Sequence, residues 1–309
     1  MPDSSLNQIQ FWKDNLTEVN GKQFTSDISC QSIFYSDASN TGYGGYIVET
    51  PTNIAHGMWS ECESSNSSTW KELTAVKHIL LSMVNILKDK RIKWFTDNQN
   101  VVSIVAKGIS MKLELQNIAL CIFKDCVQHN ISIDVEWVPG TNNDKTDYIS
   151  RIIDYDDWGA VYELFMYLES LWGPHEIDWF ANDDNHKLPV FYSRYWTVNS
   201  MGIDEFTIDW HGINRWFVPP VCLVARVLRY MRQCTVHGTI ILPLWKSANY
   251  WSILSPTREG FISEVKGCID LPTNKEYYTL GKGNKSVFGN IDLPFKVLAL
   301  KIDFGTNKY

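Results

Sequence analysis

The sequence predicts an α/β protein whose first half forms a mixed sheet covered by helices. Two observations lead to this prediction. Residues 31–60 contain three short apolar runs separated by turn-forming residues, which is typical of antiparallel strands. Between residues 68 and 152, stretches of helical periodicity alternate with strand-like stretches. Hairpins followed by such alternation indicate a mixed sheet with helices packed on it.

Helices and strands follow the hairpins in a regular order. They are predicted as a helix at 68–88, a strand at 91–97, a helix from 98 that stops at Gly108, a helix at 111–129, a strand at 131–139 and a last helix from Lys145. Ser67 or Ser68 can cap the first of these helices. Before the hairpins, residues 6–20 are predicted as a short helix with Phe11, Trp12 and Leu16 on one side.

The overall composition excludes several classes of protein. With 309 residues, 44% apolar and 13% aromatic, the chain is globular and long enough for two domains. No apolar stretch approaches the ~18 residues of a membrane span, and the first thirty residues lack the pattern of a secretory signal. Seven cysteines without a CxxC pair favour free thiols in a reducing compartment, with zinc binding or disulfides as the alternative. We therefore expect an intracellular protein of the nucleus and/or cytoplasm, neither secreted nor bound to a membrane.

The net charge of −7 limits how the chain could bind nucleic acid. Binding through charge alone needs Lys and Arg to neutralise phosphates. The charge leaves open an enzyme that approaches phosphate through a bound divalent metal.

The composition changes after about residue 152, where tryptophan and proline become frequent. A strand is predicted to end within 176–182, a turn leads into a helix at 218–234, and 238–245 reads as a buried strand. We place a domain boundary near 152–170.

Four acidic residues occupy informative positions. Asp37 lies inside a strand, Glu72 one turn into a helix, Asp97 at the end of a strand and Asp147 at the start of a helix. Each of the last three has a structural alternative: Glu72 as a surface acid, Asp97 as a helix cap and Asp147 as a helix-dipole partner. Asp37 is harder to explain structurally, because strand interiors disfavour aspartate and a buried one needs a partner.

Together the four acids fit a metal site. Carboxylates close to one another repel unless cations neutralise them. Oxygen ligands select Mg²⁺ or Mn²⁺, and two such ions about 3.5–4 Å apart can act on a phosphodiester.

Four motifs carry a family resemblance. YSDASNTGYGGY, TWKEL, FTDN and PGTNNDKTDYISR, in this order, resemble the ribonuclease H domain of retroelement reverse transcriptases over about residues 30–152. The resemblance implies that Asp37, Glu72, Asp97 and Asp147 are the catalytic acids and bind two Mg²⁺ (or Mn²⁺) ions. It also implies Mg-dependent endonucleolytic hydrolysis of the RNA strand of RNA/DNA hybrids.

The resemblance further implies a substrate-binding set, namely Ser39, Gly42, Gly44, Asn98 and Asn143. Gly42, Gly44 and Gly45 are interpreted as allowing a tight hairpin behind Asp37, with close approach of backbone to RNA as the alternative. The loop before the last acid lacks the histidine of cellular ribonucleases H, so slower turnover is expected. A basic helical protrusion is also missing, so substrate grip would come from elsewhere, such as a partner polymerase domain.

The resemblance extends into the second half. Segments 172–196, 204–212, 216–234 and 238–254, together with QFWKDNL near the start, resemble polyproteins of DIRS-type retrotransposons. Those elements encode a reverse transcriptase, a ribonuclease H, a segment similar to phage-type adenine-N6 methyltransferases and a tyrosine recombinase. The resemblance implies a polymerase connection tail at 1–28, a ribonuclease H-like domain at 29–152 and a smaller, degenerate α/β methyltransferase-like domain at 153–309. The implied partners are an RNA/DNA hybrid and the element's polymerase and recombinase.

Two alternative functions remain open. A DNA adenine-N6 methyltransferase would need a donor pocket near 176–182 and 218–221. The stretch Val218-Pro219-Pro220-Val221 lacks the amide or acid and the aromatic residue that would hold a flipped base. The other alternative is a catalytically inactive retroelement scaffold that binds nucleic acid or a polymerase, which splayed carboxylates would favour.

Overall fold

The computed structural model describes residues 6, 9–10, 12–14, 29–154, 157–212, 214–257, 259–281 and 286–305. Most of the helix expected at 6–20 lies outside these residues, including Phe11 and Leu16. The described residues of that segment are helical, and the Trp12 ring lies 5.4 Å from the ring of Phe123.

The first half of the chain builds a five-stranded mixed sheet. Its strands are β1 (Ser32–Ala38), β2 (Gly42–Ile47), β3 (Ile54–Met58), β4 (Arg91–Thr96) and β5 (Ser132–Trp137). They lie in the order β3-β2-β1-β4-β5. The first three strands pair antiparallel, whereas β4 runs parallel to β1 and β5 runs parallel to β4. The expectation of three antiparallel strands followed by parallel strands is confirmed.

Between residues 61 and 150, all of which are described, six helices accompany this sheet: α1 (Glu61–Ser64), α2 (Ser68–Ser82), α3 (Val84–Leu87), α4 (Gln99–Lys107), α5 (Leu113–Gln128) and α6 (Asp144–Ser150). Ser67 caps α2 by accepting a hydrogen bond from the backbone N–H of Trp70. Gly108 ends α4 with φ of +66°, as its position in the sequence predicts. The single helix predicted at 68–88 is instead interrupted at Met83, where the backbone leaves helical geometry.

The core of this half lies between α2 and the sheet. Leu73, Val76, Ile79 and Leu80 recur at helical spacing on one face of α2, and all four are fully buried. Burial of each aliphatic side chain contributes roughly 1.5–3 kcal/mol to folding. This packing fixes α2 across the sheet and so fixes the position of Glu72.

The second half forms a larger sheet than the first. The strands and helices of this half of the chain are β6 (Trp158–Ala160), α7 (Tyr162–Trp172), β7 (Ile177–Trp179), β8 (Phe191–Tyr192), β9 (Arg215–Phe217), α8 (Val224–Gln233), β10 (His237–Pro243), α9 (Trp251–Leu254), β11 (Val265–Leu271), β12 (Tyr278–Leu280) and β13 (Val297–Asp303). Six strands follow the order β11-β13-β10-β9-β7-β8, and β12 pairs with β6. The buried strand near 238–245 and the turn and helix at 218–234 are confirmed. The expectation of a smaller second α/β unit is wrong, because β11 and β13 extend its sheet to six strands.

One segment of the second half covers the edge of the first sheet. The backbone N–H of Trp196 donates to the carbonyl of Ile54 at 2.9 Å, and Ala55 forms a parallel bridge with Trp196. The indole of Trp196 is buried in the core of the first half. Because an open edge strand invites pairing with other chains, this contact protects β3.

Two further sequence expectations concern the whole chain. All seven cysteines are free thiols, as their spacing predicts. Within the part of the chain that the structure describes, every helix is too short or too polar to cross a bilayer.

We predict that Trp196→Ala lowers the free energy of unfolding by about 3 kcal/mol, because it leaves a large cavity in the first core and weakens the cover of β3. Urea denaturation followed by far-UV circular dichroism measures this. Tyr167→Ala, at an exposed aromatic side chain on α7, is the control and should change stability by less than about 0.5 kcal/mol. Equal effects of the two substitutions would contradict a stabilising role of Trp196.

Candidate functional site

Asp37 is a buried acid in the central strand of the first sheet. It is the sixth residue of β1 and is 7% exposed. The Ser150 hydroxyl, at the end of α6, donates to Asp37 Oδ2 at 2.7 Å. The partner that a strand aspartate requires is therefore supplied by a residue 113 positions later in the chain.

Gly44 allows α6 to approach the sheet closely enough for this hydrogen bond. A Cβ atom at Gly44 would lie 2.4 Å from Cγ2 of Ile149 and 2.7 Å from the backbone N of Ser150. Gly44 and Gly45 lie inside β2, and neither has a positive φ. For Gly44 and Gly45 the interpretation as tight-turn residues is therefore wrong, because close packing and not turn geometry excludes a side chain there. Gly42 does close the turn between β1 and β2, where its carbonyl accepts from the backbone N–H of Ser39 at 2.9 Å.

Asp97 follows β4 and is held by its neighbours. The cap of α4 is Asn98, whose Oδ1 accepts hydrogen bonds from the backbone N–H groups of Asn100 and Val101 at 3.1 and 3.3 Å. The Trp137 indole donates to the backbone carbonyl of Asp97 at 2.9 Å. The carboxylate of Asp97 is therefore not needed as a cap and is free to face the other acids.

Three of the four predicted acids converge. Asp37, Glu72 and Asp97 each offer a carboxylate oxygen, and these oxygens lie within 4.8 Å of one another. The register explains the meeting of two of them: Tyr35 of β1 pairs with Phe95 of β4, so Asp37 and Asp97 lie two residues further along parallel strands. Glu72 approaches from α2, and its Oε2 is buried without a hydrogen-bond partner.

The pKa values of the three carboxyls are all raised above their ordinary values. Burial, and then the charges of Asp37 and Asp97, raise the pKa of Glu72 to about 9. Burial also raises the pKa of Asp37, against the opposing Ser150 hydrogen bond, and that of Asp97. Such a group of oxygen donors fits a divalent cation, because the cation would neutralise the repulsion and pair with the orphaned Glu72 oxygen.

Asp147 lies near this group but does not belong to it. It occupies the first turn of α6, where Arg151 binds both of its carboxylate oxygens, with the shortest contact, Nη2 to Oδ1, at 2.5 Å. Its charge is close enough to raise the pKa of Asp37 and Asp97. The structure thus pairs the fourth predicted acid with a cationic side chain.

The residues predicted to touch substrate have internal contacts. The Ser39 hydroxyl donates to the carbonyl of Ser150 at 2.7 Å, and Gly42 and Gly44 lie buried in β2. Asn143 is 3% exposed. Its Nδ2 donates to the carbonyl of Ser36 at 3.0 Å. These contacts tie the loops around Asp37 together, and the role of these residues in substrate binding stays a prediction.

Two residues of the site were not identified from the sequence alone, namely Ser150 and Arg151. Their signal is nevertheless visible, because they follow Asp147 by three and four positions in DYISR. This spacing places side chains on one face of a helix. Arg151 meets Asp147 by local geometry, whereas the contact of Ser150 with Asp37 depends on the docking of α6.

A second concave site lies where the methyltransferase alternative would need its donor pocket. The cavity is lined in part by Phe180, Ala181, Asn182, Val218 and Pro220. Its volume of about 90 Å³ is well below the ~300 Å³ at which small-molecule sites begin. The cavity therefore gives the methyltransferase alternative no support.

The sequence matches no family model and no curated protein. Among solved structures, RNase H1 of the halophilic archaeon Halobacterium salinarum NRC-1 matches 38% of this chain and 92% of its own, at 16% identity and a TM-score of 0.32. The N-terminal RNase H domain of a Mycobacterium tuberculosis protein, fused to maltose binding protein, matches 39% of this chain and 91% of its own, at 18% identity and a TM-score of 0.33. A foamy viral protease-reverse transcriptase in complex with RNA/DNA hybrid matches 41% of this chain and 21% of its own, at 15% identity and a TM-score of 0.29.

We predict that Glu72→Gln makes the metal-free protein more stable at alkaline pH. The carboxyl of Glu72 has a pKa of about 9 in the folded protein and about 4.5 in the unfolded chain. Below pH 4.5 it is protonated in both states, so it does not lower the free energy of unfolding. Above that pH the unfolded chain ionises first, so stability falls until the pH passes the folded pKa. The variant should be more stable than the parent by roughly 4–5 kcal/mol at pH 8 and equal to it at pH 4.

Urea titrations in a chelator at both pH values measure this difference. Glu61→Gln, at an exposed acid on the neighbouring helix α1, is the matched control and should follow the parent. A parent whose stability does not decline between pH 5 and 9 would show that Glu72 is not buried among acids.

Proposed function

We propose that this chain is a metal-dependent ribonuclease H, which hydrolyses the RNA strand of RNA/DNA hybrids endonucleolytically. The observation that supports the proposal most strongly is the convergence of Asp37, Glu72 and Asp97 from three different elements, with one oxygen of Glu72 buried and unpartnered. Burial of adjacent acids without a counter-charge is costly, so a purely structural role does not account for the cluster.

The donor set favours a hard cation. Asp37, Glu72 and Asp97 would hold Mg²⁺ or Mn²⁺, because both prefer oxygen ligands and retain waters when bound. When bound, such an ion would polarise a phosphodiester and lower the pKa of a bound water. The arrangement of the sheet supports the same proposal, since the acids lie at the adjoining ends of parallel strands under a crossing helix.

The chain's own residues fix where these acids point. Ser150 orients the carboxylate of Asp37, and Trp137 holds the backbone of Asp97. Trp137 is also 46% exposed beside Asp97, so its ring is available to a bound nucleic acid. Aromatic faces stack on bases and sugars at such positions.

A second ion would require Asp147 to leave Arg151. The pair lies on the surface, where solvent screens the two charges and leaves an i,i+4 ion pair weak. A divalent cation next to Asp147 competes easily with so weak an interaction. We therefore propose that Asp147 completes a two-ion site by exchanging its arginine partner for metal.

We predict that Arg151→Gln strengthens binding of the second Mn²⁺ ion several-fold and that of the first much less. Removal of the guanidinium frees both oxygens of Asp147 and removes a positive charge from the site. Isothermal titration with Mn²⁺ measures both affinities in the absence of substrate. Lys145→Gln, on the same helix but paired with the carbonyl of Pro51, is the control. An unchanged second affinity would contradict competition between Arg151 and the metal.

The test of function compares three matched duplexes at low salt with Mg²⁺. We predict that the parent cleaves the RNA strand of RNA/DNA and leaves DNA/DNA and RNA/RNA largely intact. The 2′-hydroxyl distinguishes RNA from DNA, and we expect the site to need a strand that carries it opposite a strand that lacks it. Asp97→Asn should lower the rate at least about a hundredfold while leaving the circular dichroism spectrum unchanged. Asp134→Asn, at an exposed acid on β5, should retain the parental rate.

The other outcomes identify the alternatives. Equal cleavage of all three duplexes by the parent would indicate a general nuclease. Binding of hybrid without cleavage of any duplex would favour the inactive scaffold. Activity in Asp97→Asn equal to that of the parent would remove Asp97 from the site.

A further inference from the structure

A second group of possible metal ligands lies in the other half of the chain. Asp209 and His211 belong to the loop before β9, in the stretch DEFTIDWHG, and Cys234 follows the last residue of α8. Each offers one ligand atom, and the three atoms lie within 4.8 Å of one another. Asp209 and His211 are exposed, whereas Cys234 is buried beneath them.

We propose that Asp209, His211 and Cys234 bind a zinc-like transition-metal ion that ties this loop to the end of α8. A thiolate, an imidazole and a carboxylate form a donor set that selects Zn²⁺ over Mg²⁺ or Ca²⁺. The carboxylate cluster of the first half offers only oxygen and has the opposite preference. The two groups would therefore bind different ions.

The geometry needs little change to accept an ion. In a tetrahedral zinc site the ligand atoms lie about 3.3–3.6 Å apart, given metal–nitrogen and metal–sulfur bonds of about 2.0 and 2.3 Å. The side chains of Asp209 and His211 are on the surface and already hydrogen-bond to each other through Oδ1 and Nδ1. The ion would take the place of the proton between Asp209 Oδ1 and His211 Nδ1. That proton would leave to solvent while Nε2 takes one up, so the imidazole stays neutral; the Cys234 thiol would also release its proton to solvent, and water would complete the coordination.

Arg215 holds the backbone of the loop that carries Asp209 and His211. It is 2% exposed, and its Nε and Nη2 donate to the carbonyls of Trp210 and His211 at 2.8 and 3.0 Å. These bonds fix the backbone between the two loop ligands, as outer-sphere contacts do in metal sites.

The remaining nitrogen of Arg215, Nη1, is buried without a hydrogen-bond partner. Asp209 and Cys234 both lie close enough to act on its charge. A carboxylate and a thiolate would balance the ion itself. With the ion neutralised by its two anionic ligands, the only charge left beside it would be that of Arg215, which is already buried and hydrogen-bonded there.

Cobalt substitution in this chain tests the proposal. Co²⁺ bound to a thiolate gives an intense near-ultraviolet charge-transfer band, which oxygen-only sites cannot give. We expect the band to reach its full intensity at one Co²⁺ per protein molecule. Added Zn²⁺ should abolish the band by displacing Co²⁺, whereas excess Mg²⁺ should not. Cys234→Ala should abolish the band, whereas Cys126→Ala, at a buried cysteine of α5, and Cys268→Ala, at an exposed one, should retain it.

The exposed ligands provide variants that do not disturb the core. His211→Gln and Asp209→Asn should each weaken Zn²⁺ at least about tenfold in competition with a chromophoric chelator. In excess Mg²⁺, which would occupy the carboxylate cluster of the first half, Zn²⁺ should also raise the melting temperature of the parent and not that of Cys234→Ala. Absence of the cobalt band, or its persistence in Cys234→Ala, would overturn the proposal, as would unchanged affinity in His211→Gln. None of these measurements depends on nuclease activity.

Discussion

The site in the first half depends on how closely helix α6 approaches strand β2. Gly44 sets this distance, because any side chain there would collide with Ile149 and with the backbone of Ser150. The close contact brings the Ser150 hydroxyl to Asp37 and places Asp147 at the rim of the acidic cluster. One missing Cβ atom thus determines both the partner of the central acid and the position of the fourth.

The acidic cluster is a local source of instability in the absence of a cation. Burial raises the pKa of Asp37, Glu72 and Asp97, and repulsion from neighbouring acids adds to each shift, so their full ionisation costs stability. The buried aliphatic face of α2 offsets this cost, because it holds Glu72 in place regardless of its charge. A divalent cation would reverse the balance and make the same three residues stabilising.

The second half contributes to the first through backbone pairing as well as side chains. Trp196 covers the edge of β3 and fills part of the first core. The segment that holds Trp196 precedes the loop with the proposed zinc ligands. Metal in that loop would stabilise the second half without touching the acidic cluster, since the two groups of ligands share no residue.

Local sequence determined much of this protein. Periodicity located α2, α4, α5 and the strands of the first sheet, and small motifs identified Asp37, Glu72 and Asp97, because these features depend on residues near one another in the chain. The cap at Ser67 and the stop at Gly108 follow from the same short-range chemistry.

Contacts between distant residues could not be predicted in this way. The role of Gly44, the bond from Ser150 to Asp37 and the meeting of Cys234 with His211 all join segments far apart in sequence. The size of the second sheet also depended on pairing between β10, β11 and β13. Tertiary structure decided these features because packing of the whole chain, and not local propensity, sets which distant side chains meet.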